Sequence, residues 1–489
     1  MSQERLNRNQ HPIAKRIIVR GSLILDTPTC LGSGDADSPT DLALLRDSIS
    51  DRALLTGSSI AGALRNYLLE YQRGYGVEEQ KGDRATLFGG TRRDPDGEKS
   101  PLIINDAISR NIPTVELRDG VEIESTTGTA KPGHKYDLEL LAAGTEFLLS
   151  FELLIEKTKS LTEQQELINL LALALRGLEQ GEISIGMKKR RGFGRCHVKE
   201  WQVWNFNLEA PDERIVWLKF EHWCRELLPD RETYSSIATA LRVSLENEED
   251  RRDRFTLHAT FQLVGSLLIR SGQDSTGRAP DVVHLKSHRP NESDPVSVLS
   301  GTSLAGVLRH RAERIVKTLG GCSPIVEHLF GFVDGKQSQA SRLVVHDKVI
   351  EKATELVQNR IAIDRFTGGA YHGALFDEQP IFGGSVCIEL ELRKPEDYEI
   401  GLLLLLLKDL WTSDLPVGGE SSIGRGRLKG IKADLIRHHP QNPKQWQITQ
   451  SDENLQITDI SDSSLSENLV KDELEIFVKT LLKELGKEV

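Results

Sequence analysis

Cysteine is scarce in this chain, and none of it is arranged for chemistry. Five cysteines occur in 489 residues, Cys30, Cys196, Cys224, Cys322 and Cys387, and no two form a CxxC pair. Their number and scatter argue against a zinc ribbon and against a disulfide framework. Long apolar runs are missing as well. Gly401 to Leu407 is apolar but is followed by Lys408 and Asp409, too short a stretch to span a bilayer. The first residues are polar and charged, with no signal-peptide pattern, so a cytoplasmic protein without a membrane partner is expected. There is no Walker loop, no HExxH, no GxSxG and no His–His–carboxylate cluster. Nucleotide hydrolysis, zinc proteolysis and α/β-hydrolase chemistry therefore have no support.

Net positive charge is also lacking. The chain carries −11 overall, which taken alone counts against nucleic acid as a partner. The charge is uneven, however. The tail from Gln441 to Val489 has a net charge of −5 and the segment from Asn207 to Arg252 a net charge of −4. The rest is nearly neutral and contains concentrated basic loops, and local patches rather than net charge decide binding.

What the chain does have is an internal repeat. Val19 to Leu25, Asp37 and Leu55 to Arg65 recur as Leu263 to Ile269, Asp281 and Leu299 to Arg309, all at an offset of 244. Leu87-Phe88-Gly89 recurs as Leu329-Phe330-Gly331, Leu102 to Asp106 as Leu343 to Asp347, and Gly192-Phe193-Gly194-Arg195 as Gly424-Arg425-Gly426-Arg427. The offset falls to 232 by the last of these, as loop deletions would make it do. A repeat of roughly 200 residues is a domain with its own core rather than a solenoid unit. The expected division is a first domain over 12–206, a helical linker over 207–252, a second domain over 253–436, and an acidic tail over 437–489 ending in an amphipathic helix.

Each copy opens with a β pattern, Arg16 to Leu25 and Phe255 to Ile269. Ser58-Ser59 and Thr302-Ser303 then stand before helical runs over Ile60–Glu70 and Leu304–Leu319. Strands are expected at Leu102–Ile104, Phe147–Ile155, Leu343–Val345 and Val386–Leu392, and second helices at Thr162–Leu178 and Ile400–Trp411. This alternation fits an α+β chain of two tandem ferredoxin-like, RRM-like βαββαβ domains. Asn111–Gly144 and Lys352–Gly383 read as long insertions forming extended hairpin arms.

Three sets of residues have the chemistry to act. The helix starts Gly57-Ser58-Ser59 and Gly301-Thr302-Ser303 offer free amides to a phosphate, with Arg65 and Arg309 about two turns on; the same residues also cap a helix. The loop Lys188-Lys189-Arg190-Arg191 through Arg195, with its counterpart carrying Arg425 and Arg427, joins close-approach glycines to phosphate-neutralising cations. The paired loop acids Asp37 and Asp281 precede the helix starts, and a loop aspartate also forms turns. His134 and His372 match in the arms, while His11 has no counterpart.

The Leu-x-Gly-Ser/Thr-Ser helix start and the C-terminal glycine-rich loop, in this order and duplicated, resemble the RAMP (repeat-associated mysterious protein) superfamily. The nearest likeness is to backbone subunits of type III CRISPR effector complexes, and a tandem fusion resembles the III-D branch. Asp37-Ser38-Pro39 resembles the loop carrying those subunits' target-cleaving aspartate, whereas the second copy reads Pro280-Asp281-Val282. The resemblance implies an α+β fold with thumb-like insertions, a CRISPR RNA, a complementary target RNA and the other subunits of the complex as partners, and Mg²⁺ or another divalent cation, with Asp37 and Asp281 as candidate ligands. Helix starts and glycine-rich loops would grip the guide, the arms would intercalate into the guide–target duplex, and target RNA would be cut near Asp37 and Asp281. A kinked strand can bring a 2′-hydroxyl into line with its own phosphate, so much of the acceleration would be positional. A non-cutting scaffold and a guide-processing endoribonuclease are the alternatives.

Overall fold

A computed structural model describes residues 12–33, 43–78, 87–90, 99–124, 127–224, 226–271, 280–321, 324–334, 337–451, 454–461 and 466–487. Asp37, His11 and Cys322 lie outside them.

The first domain contains β1 (Ile13–Leu25), α1 (Gly57–Arg73), β2 (Leu102–Ile104), β3 (Val115–Ile123), β4 (Ala130–Leu141), β5 (Glu146–Glu156), α2 (Leu161–Glu179) and β6 (Cys196–Asn207). Its sheet has the order β2-β5-β1-β6, antiparallel throughout, with Val19 opposite Phe151 and Val203. That order is the one a βαββαβ ferredoxin-like unit produces. Alternate residues of β1, among them Ile17, Val19, Leu23 and Leu25, point to the helices and are buried with Leu64 and Leu68 of α1 and Leu171 and Leu175 of α2. α1 starts where Thr56 caps the Ser59 amide, and α2 at a Ser160–Glu163 capping box. β3 and β4 pair with each other, from Val115↔Leu141 out to Ile123↔Ala130, and are tied to the domain at the base by a bridge between Leu141 and Thr29. They form the expected arm.

The second domain repeats the plan with β7 (Arg254–Val264), α5 (Gly301–Thr318), β8 (Leu343–Val345), an arm of β9 (Gln358–Ile363) and β10 (Ala370–Gln379), β11 (Ser385–Arg393), α7 (Asp397–Trp411) and β12 (Arg427–His438). Between them in number come α3 (Pro211–Leu218) and α4 (Ile237–Leu241) of the connecting segment, and α6 (Pro324–Phe330). The strand order β8-β11-β7-β12 matches that of the first domain.

Two segments differ from the sequence expectation. The connecting segment, expected to be helical, is helical only in α3 and α4. Elsewhere it is held by side chains of the sheet it crosses: Arg20 Nη2 donates to the Glu221 carbonyl at 2.6 Å and Gln202 Nε2 to the Leu228 carbonyl at 2.8 Å. The Trp201 and Tyr234 backbones bond each other in both directions. The tail is not a separate appendage. β13 (Lys444–Ser451) and β14 (Asn454–Asp459) extend the second sheet beyond β12, and α8 (Glu467–Glu484) buries Val470, Leu474 and Leu481 in the same core. α8 crosses α7 so closely that a Cβ on Gly401 would lie 2.3 Å from the Phe477 carbonyl oxygen.

Candidate nucleic-acid interface

The glycine-rich loops are built alike. Gly186, Lys188, Gly192 and Gly194 adopt φ of 79°, 52°, 88° and 77°, and Gly418, Glu420, Gly424 and Gly426 adopt 79°, 59°, 91° and 79°. A one-turn 3₁₀ helix fills each, over Lys189–Arg191 and Ser421–Ile423. Left-handed backbone at these points is why glycine recurs there. The repeat is thus conformational as well as textual.

The first loop is seated on the second domain. A Cβ on Gly192 would meet the Asp347 amide nitrogen at 2.4 Å, and one on Gly301 would meet the Arg191 and Val345 carbonyl oxygens at 2.4 and 2.5 Å. Buried charges join the same seam. Asp347 is paired with Arg118 of the first arm at 3.4 Å and with Arg289 at 3.0 Å, and Glu116 accepts from the Ser287 hydroxyl at 3.0 Å and the His288 amide at 2.7 Å.

A groove of about 1280 Å³ runs along this seam. Thr56, Ser58, Ser59 and Gly62 at the start of α1 form one side, Lys188–Arg191 and Arg195 the middle, and Arg309, His346 and Arg393 of the second domain the other. Its cations crowd one another. Burial and then the Arg393 guanidinium lower the pKa of Arg190; burial and then Arg309 lower that of Arg191; burial and then Arg190 lower that of Lys189. Arg191 Nη1 is buried without a protein hydrogen-bond partner. Part of the floor is neutralised, since Arg195 pairs with Glu389 at 3.4 Å and Arg252 with Glu182 at 3.1 Å. Lys188 Nζ stands 3.8 Å from the Tyr136 ring centroid.

The other sequence-derived candidates have different places. Arg65 donates to the Gly89 carbonyl at 3.4 Å and Arg309 to the Gly331 carbonyl at 3.1 Å. The paired arginines therefore brace the repeated Leu-Phe-Gly turns, and of the two only Arg309 also lines the groove. Gly57 is buried with its amide bonded to Asp106 at 2.7 Å. Gly301 receives the first domain's loop, and Gly301, Thr302 and Ser303 lie outside the groove wall. Arg425, expected to meet phosphate, is 2% exposed and held by Glu378 at 2.9 Å, Glu420 at 2.6 Å and Gln358 at 2.7 Å. The reason is that Glu420 stands where the first loop has Lys188, so the second loop neutralises its own arginine. Arg427 is exposed on β12, away from the groove. Asp281 is exposed, and its Oδ2 accepts the Asp377 amide of the second arm at 3.0 Å. Sequence reasoning missed Arg393, Arg252 and His346, which are isolated in the sequence and meet the loop only across the seam.

The open face of the first sheet is not available as a base-stacking platform of the RRM kind. The connecting segment covers it, with Trp204 packed on Phe220 at 5.3 Å and Arg20 stacked between them at 4.9 Å from each ring.

Residues 22–197 and 260–429 both match the RAMP superfamily, so the chain belongs to that superfamily and holds two of its domains in tandem. The family is one of CRISPR-associated, RNA-binding proteins, many of them RNA-processing endoribonucleases. None of the curated proteins compared with the chain matches it. No helix among the described residues is long and apolar enough to cross a membrane. No group of three or more His, Cys, Asp or Glu among them is placed to hold a metal ion.

Proposed function

We propose that this chain is a backbone subunit of a type III CRISPR effector complex. It grips the phosphates of a CRISPR RNA in the seam groove and cuts the paired target RNA beside the loops of Asp37 and Asp281. The observation that carries this reading is the run Lys188 to Arg191, whose crowded, partly unpartnered cations line a groove of about 1280 Å³. Such a cluster gains from a polyanion that neutralises it and releases its counterions. The protein would hold backbone and shape, and base pairing with the guide would supply sequence.

Cleavage would rest on a 2′-hydroxyl swung into line by distortion of the target strand. A loop carboxylate would then orient the hydroxyl or take its proton. A divalent cation would neutralise charge developing on the phosphate. Asp281 and Asp377 offer it hard oxygen donors, Asp377 Oδ1 being buried without a protein partner. One observation favours a scaffold role for the second repeat: Asp281 already anchors its arm through the Asp377 amide.

The test is cleavage of end-labelled complementary RNA by the assembled effector with Mg²⁺, comparing wild type, Asp37→Ala, Asp281→Ala and the double variant. Loss of one distinct product per single variant supports two cutting repeats. Unchanged products with target binding intact make the chain a scaffold.

A further inference from the structure

One groove residue is left without a task by the phosphate grip. His346 follows β8 directly, at the position Asn105 holds after β2. The two are placed alike, with the His346 amide bonded to the Glu389 carbonyl and the Asn105 amide to the Ser150 carbonyl, both at 3.2 Å. The His346 side chain is 11% exposed and lines the groove. Its Nε2 faces Glu389 Oε1 at 3.5 Å, while its Nδ1 is buried with no protein hydrogen-bond partner. Glu389 is itself fixed by Arg195 and Lys348, and a carboxylate nearest Nε2 favours the tautomer protonated there, which leaves Nδ1 as an acceptor. Gly192 presses on this peptide from the first domain, where a Cβ would lie 3.0 Å from the His346 carbonyl carbon. The imidazole is therefore fixed in the seam beside the loop cations. Burial lowers its pKa to about 4, so it is neutral at pH 7.

A neutral acceptor among phosphate-binding cations meets the sugar. On a ribose the donor within reach of a phosphate-bound strand is the 2′-hydroxyl, which DNA lacks. We propose that His346 is the sugar-reading residue of this groove, its Nδ1 accepting a hydrogen bond from a ribose 2′-hydroxyl so that RNA is held in preference to DNA. This rests on the reading of the groove as an RNA site.

The test is fluorescence anisotropy of the full chain with a labelled unstructured RNA 20-mer and the DNA 20-mer of the same sequence. Wild type, His346→Ala, His346→Asn and the double variant Arg190→Ala/Arg191→Ala are compared, each with its melting temperature. His346→Ala should weaken RNA about fivefold, the usual worth of one hydrogen bond, and leave DNA within about twofold. His346→Asn should keep most of the RNA preference, because the amide oxygen also accepts. Equal losses on RNA and DNA, or none on either, overturn the inference. The arginine variant should weaken both strands alike. If wild type binds neither strand, or the arginine variant changes nothing, it is the groove reading that fails. Should His346→Ala melt early, a single 2′-deoxy substitution walked along the RNA decides with wild type: one position costing about fivefold supports the inference, and a flat profile overturns it.

Discussion

Lys188 and Glu420 occupy the same left-handed position in the two glycine-rich loops, at φ 52° and 59°, and carry opposite charge. The backbone scaffold is duplicated while its electrostatics are not. In the first copy the loop directs cations into the seam. In the second, Glu420 and Glu378 neutralise Arg425 and Arg360 within the domain. The unneutralised cation groove is therefore a property of the seam between the copies, and so is the phosphate grip proposed for it.

Neutralising Lys188, Lys189, Arg190 and Arg191 together should lower RNA affinity by at least about tenfold. It should also flatten the dependence of log K on log salt by about 3, since each phosphate contact on a single strand contributes about 0.7. Glu420→Ala and Arg427→Ala should leave both within error. A titration at several salt concentrations checks this, and equal effects from the two loops would refute the asymmetry.

The seam should be intolerant of a methyl group at its contact glycines. Gly301→Ala would place a Cβ against two carbonyl oxygens, those of Arg191 and Val345, and is expected to cost about 3 kcal/mol. Gly306 and Gly62 lie inside helices with open space around the added Cβ, so alanine there should stabilise by about 1 kcal/mol. Because Gly62 lines the groove, its alanine variant should gain in melting temperature and lose RNA affinity. Thermal denaturation beside anisotropy separates the two effects.

Asp347→Asn removes the carboxylate shared by Arg118 and Arg289 in a site where Asp347 is 4% exposed. Arg289 then loses this counterion and Arg118 keeps only Glu116 at 3.5 Å, which should cost about 3 kcal/mol. Asp119→Asn breaks a solvent-facing pair with Lys135 and should cost less than about 1 kcal/mol. Urea midpoints of the two variants give the comparison.

Most of the architecture is legible in the sequence because its signals are local. The alternation in Arg16 to Leu25 and the serines before Ile60 and Leu304 mark elements whose hydrogen bonds lie within a few residues. The shared offset then carries the assignment from one copy to the other. What the sequence hides is relational. That Arg425 is buried depends on Glu378, 47 residues away. That Gln202 and Arg20 bind the connecting segment, and so keep it from being helical, depends on a sheet formed by distant strands. The tail reads as polar because β13 and β14 each turn one face to solvent, and their pairing with β12 leaves no local mark.

Stability should fall on mild acidification, and buried histidines set the window, His284 and His346 most strongly, with His438 lowered in the same direction by burial. His284 and His346 have pKa values lowered to about 4 by burial, against 6.5 when solvated. His284 accepts from the Ile269 amide at 3.2 Å, and its other ring nitrogen lies 3.2 Å from the Val298 carbonyl oxygen, so protonation would remove an acceptor in use. Between pH 6.5 and 4 the unfolded chain binds protons at these sites that the folded chain refuses. Folding is therefore favoured above that window and penalised within it. At pH 5 the penalty is about 2 kcal/mol for each histidine, at roughly 1.4 kcal/mol per pH unit. Burial opposes ionisation of Glu389, but His346, Lys348 and Arg195 hold its carboxyl at about 2, so its stabilisation is lost only below about 4.5, where the unfolded carboxyl takes up its proton. Glu399 and Glu420, raised by burial, act in the opposite sense by taking up protons in the folded state. The share of His284 and His346 is isolated by comparing urea midpoints at pH 7 and pH 5 for wild type and for the double variant His284→Asn/His346→Asn. Wild type should lose stability on going to pH 5, and the double variant should lose about 4 kcal/mol less. An equal change in both proteins would show that these two imidazoles are not the groups that set the window.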